Sequence, residues 1–295
     1  MRTRLQTCSC GTKIMTKIID GKKIAEEIKE ELKSDVLALG EKGIVPGLVV
    51  ILAGEDSASQ VYVKNKERVA KEIGINSEVV RMSAETSQEE LEKIILQYNV
   101  DEKIHGILVQ LPLPKNIDAK KIINLIDPKK DVDCFHPENV GRMMIGDARF
   151  LPCTPAGILE LLERSEISVE GKNVTIVGRS NIVGKPLAVM LINLGATVTV
   201  CNSKTKNLQK LCAQADILIS ATGRAGLICA EMVKQDAVVI DVGINRNEEG
   251  KLVGDVDYIR VCDKTSCITP VPGGVGPMTI MMLMRNTIIA AKNQK

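Results

Sequence analysis

Apolar positions recur along this chain with two periods, and the period switches between them for most of the length. Positions 20–42 space apolar residues three and four apart on a charge-rich background, with Asp20 placed to cap the start, which predicts an amphipathic helix. Leu48–Leu52 follows Pro46 as an unbroken apolar run, the pattern of a strand buried on both faces. A helix over Tyr62–Ile73 and a strand near Val79 come next. Ser87 and Glu90 have capping-box spacing and open a helix to about Tyr98, after which Ile104–Leu111 reads as a strand running into Pro112 and Pro114.

Residues 127–153, rich in Asp, Pro, Gly and Lys, interrupt this rhythm and are the expected inter-domain linker. Thr154 and Pro155 then read as a cap and a first helical residue. Beyond them lie a strand Val174–Val177, a glycine-bounded loop, a helix Gly184–Leu194 and a strand Thr197–Cys201, which together make a βαβ unit. Strands at Ile217–Ser220 and Ala237–Val242 continue the alternation, and Met278–Lys292 is a closing helix. Such alternation is the mark of an α/β fold with parallel sheet. At about 150 residues per domain, 295 residues imply two domains and a cleft between them. Residues 16–150 with 277–295 are assigned to one α/β domain and 151–276 to a second, Rossmann-like one. Residues 1–15 carry Arg2, Arg4 and Lys13 without an acidic residue, and read as a disordered tail or an upstream start with Met15 as the true beginning.

Composition narrows the chemistry. With 39 basic against 37 acidic residues there is no electrostatic footprint for nucleic acid, and 2% aromatics without Trp supply no stacking platform. No apolar run reaches the roughly 18 residues of a membrane span. There are two histidines, His105 and His136, both read as structural, so no metal site and no histidine-based triad is expected. Nine cysteines without a CxxC pair argue for free thiols in a reducing, cytoplasmic compartment.

The loop after the first strand of the βαβ unit is Gly178-Arg179-Ser180-Asn181-Ile182-Val183-Gly184. Glycines at such a turn let pyrophosphate approach backbone N–H groups at a helix N-terminus, although six-residue spacing is not GxGxxG and an ordinary βα turn has the same look. The next strand ends Cys201-Asn202-Ser203-Lys204-Thr205, without the acid that grips a ribose hydroxyl in NAD sites. Arg179, Ser180, Ser203 and Lys204 suit a ribose phosphate instead, which favours NADP. Tyr62 and Lys66 stand four apart and share one helix face. A lysine works as general acid or base only where burial or a nearby cation lowers its pKa, and the alternative is a solvated face like that of Lys64. Short-chain dehydrogenases also carry Tyr-xxx-Lys, but after their nucleotide loop, whereas here the pair precedes it.

Six separated motifs lie in one order: Tyr62-xxx-Lys66; Val109-Gln110-Leu111-Pro112-Leu113-Pro114; Asp131-Val132-Asp133; Pro152-Cys153-Thr154-Pro155; Gly178-Arg179-Ser180 with Val183-Gly184-Lys185-Pro186; and Thr269 to Thr279 with its run Pro272-Gly273-Gly274-Val275-Gly276. On these the chain resembles the bifunctional methylenetetrahydrofolate dehydrogenase/methenyltetrahydrofolate cyclohydrolase family, from about Ile18 to the C-terminus. The resemblance implies oxidation of 5,10-methylenetetrahydrofolate with NADP, hydrolysis of the methenyl product to 10-formyltetrahydrofolate, and a homodimer. It makes Lys66 the acid–base group, Gln110 its partner, Tyr62 a wall of the folate site and Asp133 the anchor for the pterin. Pro272, Gly273 and Thr279 join the substrate side, Thr279 as cap of the closing helix. Gly178, Arg179, Ser180, Gly184, Ser203, Gly243, Ile244, Gly274 and Val275 form the cofactor set. Two departures stand out: Cys134 where the family has glycine, expected to crowd the folate loop, and Asn202 where it often has histidine. The alternatives are a monofunctional dehydrogenase of the family, another NADP-dependent reductase and a non-catalytic folate-binding module.

Overall fold

A computed structural model describes residues 16–294. The chain runs β1 (Lys17–Ile18), α1 (Gly21–Gly40), β2 (Gly47–Ala53), α2 (Ser57–Ile73), β3 (Asn76–Met82), α3 (Gln88–Asn99) and β4 (Gly106–Val109). Three helices follow, α4 (Ala119–Leu125), α5 (Pro137–Met144) and α6 (Cys153–Arg164). Then come β5 (Asn173–Val177), α7 (Gly184–Asn193), β6 (Thr197–Cys201), α8 (Leu208–Cys212), β7 (Ile217–Ser220) and β8 (Ala237–Asp241). A short hairpin of β9 (Asn245–Arg246) and β10 (Leu252–Val253), then α9 (Tyr258–Cys262), β11 (Thr265–Ile268) and α10 (Val275–Asn293), complete it.

Two parallel sheets result, as the alternating pattern predicts. One has the order β3-β2-β4, with every residue of β2 buried. The other is six-stranded, in the order β1-β11-β8-β7-β5-β6. The chain direction across this sheet reverses at β5, which has β6 on one side and β7 on the other. Such a switch point opens a crevice outside the carboxyl ends of the strands, and Gly178 stands there. α10 packs on α1 and α6, so the C-terminus returns to the helices around the first sheet.

Local capping explains where the elements differ from the sequence pattern. Asp20 caps α1 and the Ser87–Glu90 capping box opens α3, as expected. α2 begins at Ser57 rather than Tyr62, because the Asp56 carboxylate accepts the Ser59 N–H at 2.7 Å. α6 begins at Cys153, so Thr154 and Pro155 lie in its first turn and Thr154 is not the cap. The expected linker is not irregular throughout: it holds α5, capped by His136, whose Nδ1 accepts the Glu138 N–H at 3.1 Å. The buried Asp131 braces that segment, accepting from Phe135 N at 3.2 Å and from His136 N and Asn139 Nδ2 at 2.8 Å. α10 begins at Val275, before the expected Met278. The pattern missed β1, β9, β10, β11, α4, α8 and α9, elements too short to show a period. The expectation for residues 1–15 lies outside the described residues. Among the described residues no helix is long and apolar enough to cross a membrane.

α6 and α10 approach closely where Gly157 faces Met278: a Cβ built on Gly157 comes 2.8 Å from the Met278 Cβ. Gly157→Val is therefore expected to lower stability by about 1–3 kcal/mol through overpacking, measurable as a lower urea midpoint at unchanged m-value.

Candidate active site

α2 buries one stripe, Ser59, Val63, Lys66, Val69, Ala70 and Ile73. Lys66 thus sits in a row of mostly apolar residues and is 8% exposed, while Lys64 on the same helix is exposed. A buried amine is costly without a partner, and Gln110 supplies one: Lys66 Nζ donates to Gln110 Oε1 at 2.9 Å. Gln110 stands just past β4, its N–H bonded to Ile51 O at 2.9 Å, and its own Nε2 donates to Leu111 O at 2.8 Å. That second bond orients the amide so that its carbonyl, not its NH₂, faces the lysine.

Asp133 completes the cluster from the loop after the Asp131 brace. It is half-buried and lies close enough to Lys66 and to the Cys153 thiol to feel both. Burial pushes its carboxyl above the usual range, with the Asp131 charge adding to this, while Lys66 and Cys153 pull the other way. Cys134 does not crowd this loop. It adopts φ +60°, the left-handed region that favours glycine, and is fully buried, its thiol turned inward to donate to Phe150 O at 3.3 Å.

Tyr62, one turn before Lys66, is half-buried, and burial raises its phenol. It lines a cavity of about 430 Å³ whose other walls are α1, the 241–244 turn and the 270–277 loop. Pro272, Gly273, Gly274, Val275, Gly243 and Ile244 are therefore gathered around one space. Thr279 is not a cap: it lies inside α10, and its hydroxyl is 3.1 Å from that of Thr154. The glycine loop is held from α1, because the Lys22 N–H donates to Gly273 O at 3.0 Å and any Cβ on Gly21 would collide with the Gly274 carbonyl.

Three residues that no sequence pattern announced shape the same surroundings. Asp241 ends β8 and accepts from Gly243 N, Asp255 N and Val256 N, each at 2.9 Å, which folds the turn carrying Gly243 and Ile244. Burial pushes its carboxyl up to about 6 against those donors, and the neighbouring Asp255 adds to the rise. Asp255, fully buried, accepts from Ser220 Oγ at 3.0 Å and Thr222 N at 2.7 Å beside the switch point. Asn286 on α10 is the third, with its amide bonded into the Asp133 loop. Acidic residues at strand ends were the one available signal for the first two.

The second cluster lies at the switch point. Gly178 has φ +132°, and a Cβ there would run into the Ala221 carbonyl; one on Gly184 would run into the Gly178 carbonyl. Ser180 Oγ accepts from Val183 N at 3.1 Å, setting the turn into α7 and leaving Arg179 exposed. Past β6, Asn202 Oδ1 accepts from Lys204 N at 2.9 Å, so this side chain shapes a turn that exposes Ser203 and Lys204. The donor set is cationic and hydroxylic with no carboxylate at the end of β6, and it fits the phosphates of NADP.

Residues 19–133 match the tetrahydrofolate dehydrogenase/cyclohydrolase catalytic domain, and residues 152–295 match the NAD(P)-binding domain of the same family. The chain belongs to the tetrahydrofolate dehydrogenase/cyclohydrolase family. It is 59% identical over 275 residues to the bifunctional protein FolD of Moorella thermoacetica, covering 93% of this chain and 98% of that protein. The crystal structure of the bifunctional FolD enzyme from Campylobacter jejuni superposes with a TM-score of 0.93 at 51% identity, over 95% of this chain and all of that one. The Trypanosoma brucei enzyme, solved with NADP cofactor and inhibitor, gives a TM-score of 0.91 at 39% identity, over 94% of this chain and 97% of its own. Membership makes this protein a bifunctional dehydrogenase and cyclohydrolase of folate one-carbon units that uses NADP.

A carboxyl whose folded pKa is raised is most favourable to folding below its unfolded pKa, and that contribution is lost as pH rises through the folded value. Asp133→Asn removes the cost. We expect a higher Tm than wild type at pH 7, shrinking toward pH 4; a variant less stable at pH 7 would show that the carboxylate is not strained there.

Proposed function

We propose that one cleft serves both reactions, with Lys66 as acid–base group, Gln110 as its partner, Asp133 as pterin anchor and Tyr62 as a wall of the folate site. The buried Lys66–Gln110 hydrogen bond beside Asp133 carries this reading. The pterin ring presents an amino group and an N–H that one carboxylate accepts side by side, which fixes the one-carbon unit in place. Pro272 and Gly273 line the cavity with Tyr62, and Thr279 stands further along α10 with its hydroxyl against Thr154.

NADP, when bound, accepts the hydride from the methylene carbon. Its place is the switch-point loop, with Gly178 and Gly184 allowing close backbone approach and Arg179, Ser180, Ser203 and Lys204 offering donors to phosphate. Gly243, Ile244, Gly274 and Val275 border the same cavity as Tyr62.

In the hydrolytic step water adds to the cationic methenyl carbon, and the unprotonated amine of Lys66 takes the proton. Gln110 holds that amine through its carbonyl without adding charge, so the lone pair is directed at the incoming water. The bond from carbon to N5 then breaks as the electron pair returns to nitrogen. Lys66 delivers its proton there and takes the hydroxyl proton of the adduct, whose oxygen becomes the carbonyl of the formyl group on N10, and that last proton passes to water. The intact lysine disfavours a monofunctional dehydrogenase.

The homodimer and cytoplasmic readings have their own support. Met144 and Ile145 at the end of α5 and Ile192 and Leu194 at the end of α7 are exposed apolar residues, and Asn193 Nδ2 ties the two helices by donating to Met143 O at 3.2 Å. Beside them β6 is an edge strand with Val200 exposed, a face that a second copy would cover. All the described cysteines are free thiols, as a reducing compartment would keep them.

Lys66→Met is expected to cut hydrolysis of methenyltetrahydrofolate by a factor of about 10² or more while hydride transfer to NADP persists, followed by near-ultraviolet absorbance with and without NADP. Hydrolysis at the wild-type rate would refute the role given to Lys66. Ile145→Asp should shift the protein to monomer in sedimentation velocity, and an unchanged sedimentation coefficient would place any dimer contact elsewhere.

A further inference from the structure

Asp133 lies in a loop, yet an anchor must have a fixed direction. Five contacts from three buried side chains bear on that loop. Cys134 Sγ donates to Phe150 O at 3.3 Å, and Cys153 Sγ donates in the opposite direction, to Val132 O at 3.4 Å. Asn286 Nδ2 donates to Val132 O at 2.8 Å and to Leu151 O at 2.9 Å, and lies 3.7 Å from Cys153 Sγ. The 132–134 segment and the 150–153 segment are thus stitched together from both sides.

Val132 O is the carbonyl of the peptide bond that leads into Asp133. With Asn286 and Cys153 both donating to it, the two lone pairs of that oxygen are taken and the peptide plane cannot rotate freely. The turn is closed on the other side by Cys134 N–H donating to Asp131 O at 3.1 Å. Asn286 is 4% exposed in the middle of α10, among Met281, Met282, Leu283, Met284 and Ile288. A polar amide in that setting is unfavourable unless it is bonded, and its bonds all run to the loop segments flanking the site.

We propose that Asn286 and Cys153 are positioning residues, which fix the direction of the Asp133 carboxylate before the folate substrate arrives. This rests on the reading of Asp133 as the pterin anchor. Neither residue needs to touch substrate: each acts through the Val132 peptide. Removing either donor should loosen the anchor and leave the lysine chemistry and the cofactor loop alone.

The test is steady-state kinetics with 5,10-methylenetetrahydrofolate and NADP on Asp133→Asn, Cys153→Ala, Cys153→Ser and Asn286→Ala, with Tm recorded for each. Loss of the donor to Val132 O should raise the folate KM roughly three- to tenfold in Cys153→Ala and Asn286→Ala, with kcat and the NADP KM within about twofold of wild type. Cys153→Ser returns a donor of similar size and should restore most of the folate KM. A purely structural role would lower Tm and leave that split absent. A folded Cys153→Ala enzyme with wild-type folate KM, beside an Asp133→Asn enzyme whose folate KM is raised, would overturn the positioning role. A folate KM unmoved by Asp133→Asn would instead overturn the anchor on which the role depends. Should Asn286→Ala fail to fold, the Cys153 pair decides the question.

Discussion

Lys66 occupies a place on α2 where the helix otherwise buries Val63, Val69, Ala70 and Ile73, and the need to hold an amine there organises what surrounds it. Gln110 must stand at the end of β4, which is where the parallel pairing of β2 with β4 puts it. Its amide must face the right way, and the bond to Leu111 O settles that. Asp133 must come near enough to feel the lysine charge, which requires the loop after Asp131 to be rigid. Each condition is met by hydrogen bonds to backbone, so the cluster is built into the first sheet and its covering helices.

Close approach is the second constraint. Gly21 against Gly274, Gly178 against Ala221 and Gly184 against Gly178 all mark places where a single Cβ would push two segments apart. The first of these joins α1 to the loop that borders the cavity, and the others fold the turn at the switch point. Gly21 and Gly178 serve contact between segments far apart in sequence, Gly184 closes a local turn, and at Gly178 the backbone angle demands glycine as well.

The proposed site thus draws on both sheets. In the proposed assignment folate chemistry lies on the Lys66 side and phosphate recognition at the ends of β5 and β6. The carboxylates Asp241 and Asp255 serve neither reaction directly. They consume backbone and hydroxyl donors that would otherwise be orphaned where the turns bend, which keeps Gly243 and Ile244 in place.

Periodicity and capping chemistry in the sequence determined the α/β class, strands β2 to β8 and the bounds of α1, α3 and α7 to within a few residues, because these depend on residues within a few positions of one another. Motif order pointed to the family, and with it to Lys66, Gln110 and Asp133. Tertiary structure alone decided that Lys66 is buried while Lys64 is solvated, that Cys134 turns into the core rather than toward the folate loop, that Thr279 lies within a helix and not at its cap, and that Asn286 reaches the Val132 peptide. Those outcomes rest on contacts between segments set apart in the chain, by 16 residues from Cys134 to Phe150, 44 from Lys66 to Gln110 and 154 from Asn286 to Val132, and no local pattern encodes where such segments will meet.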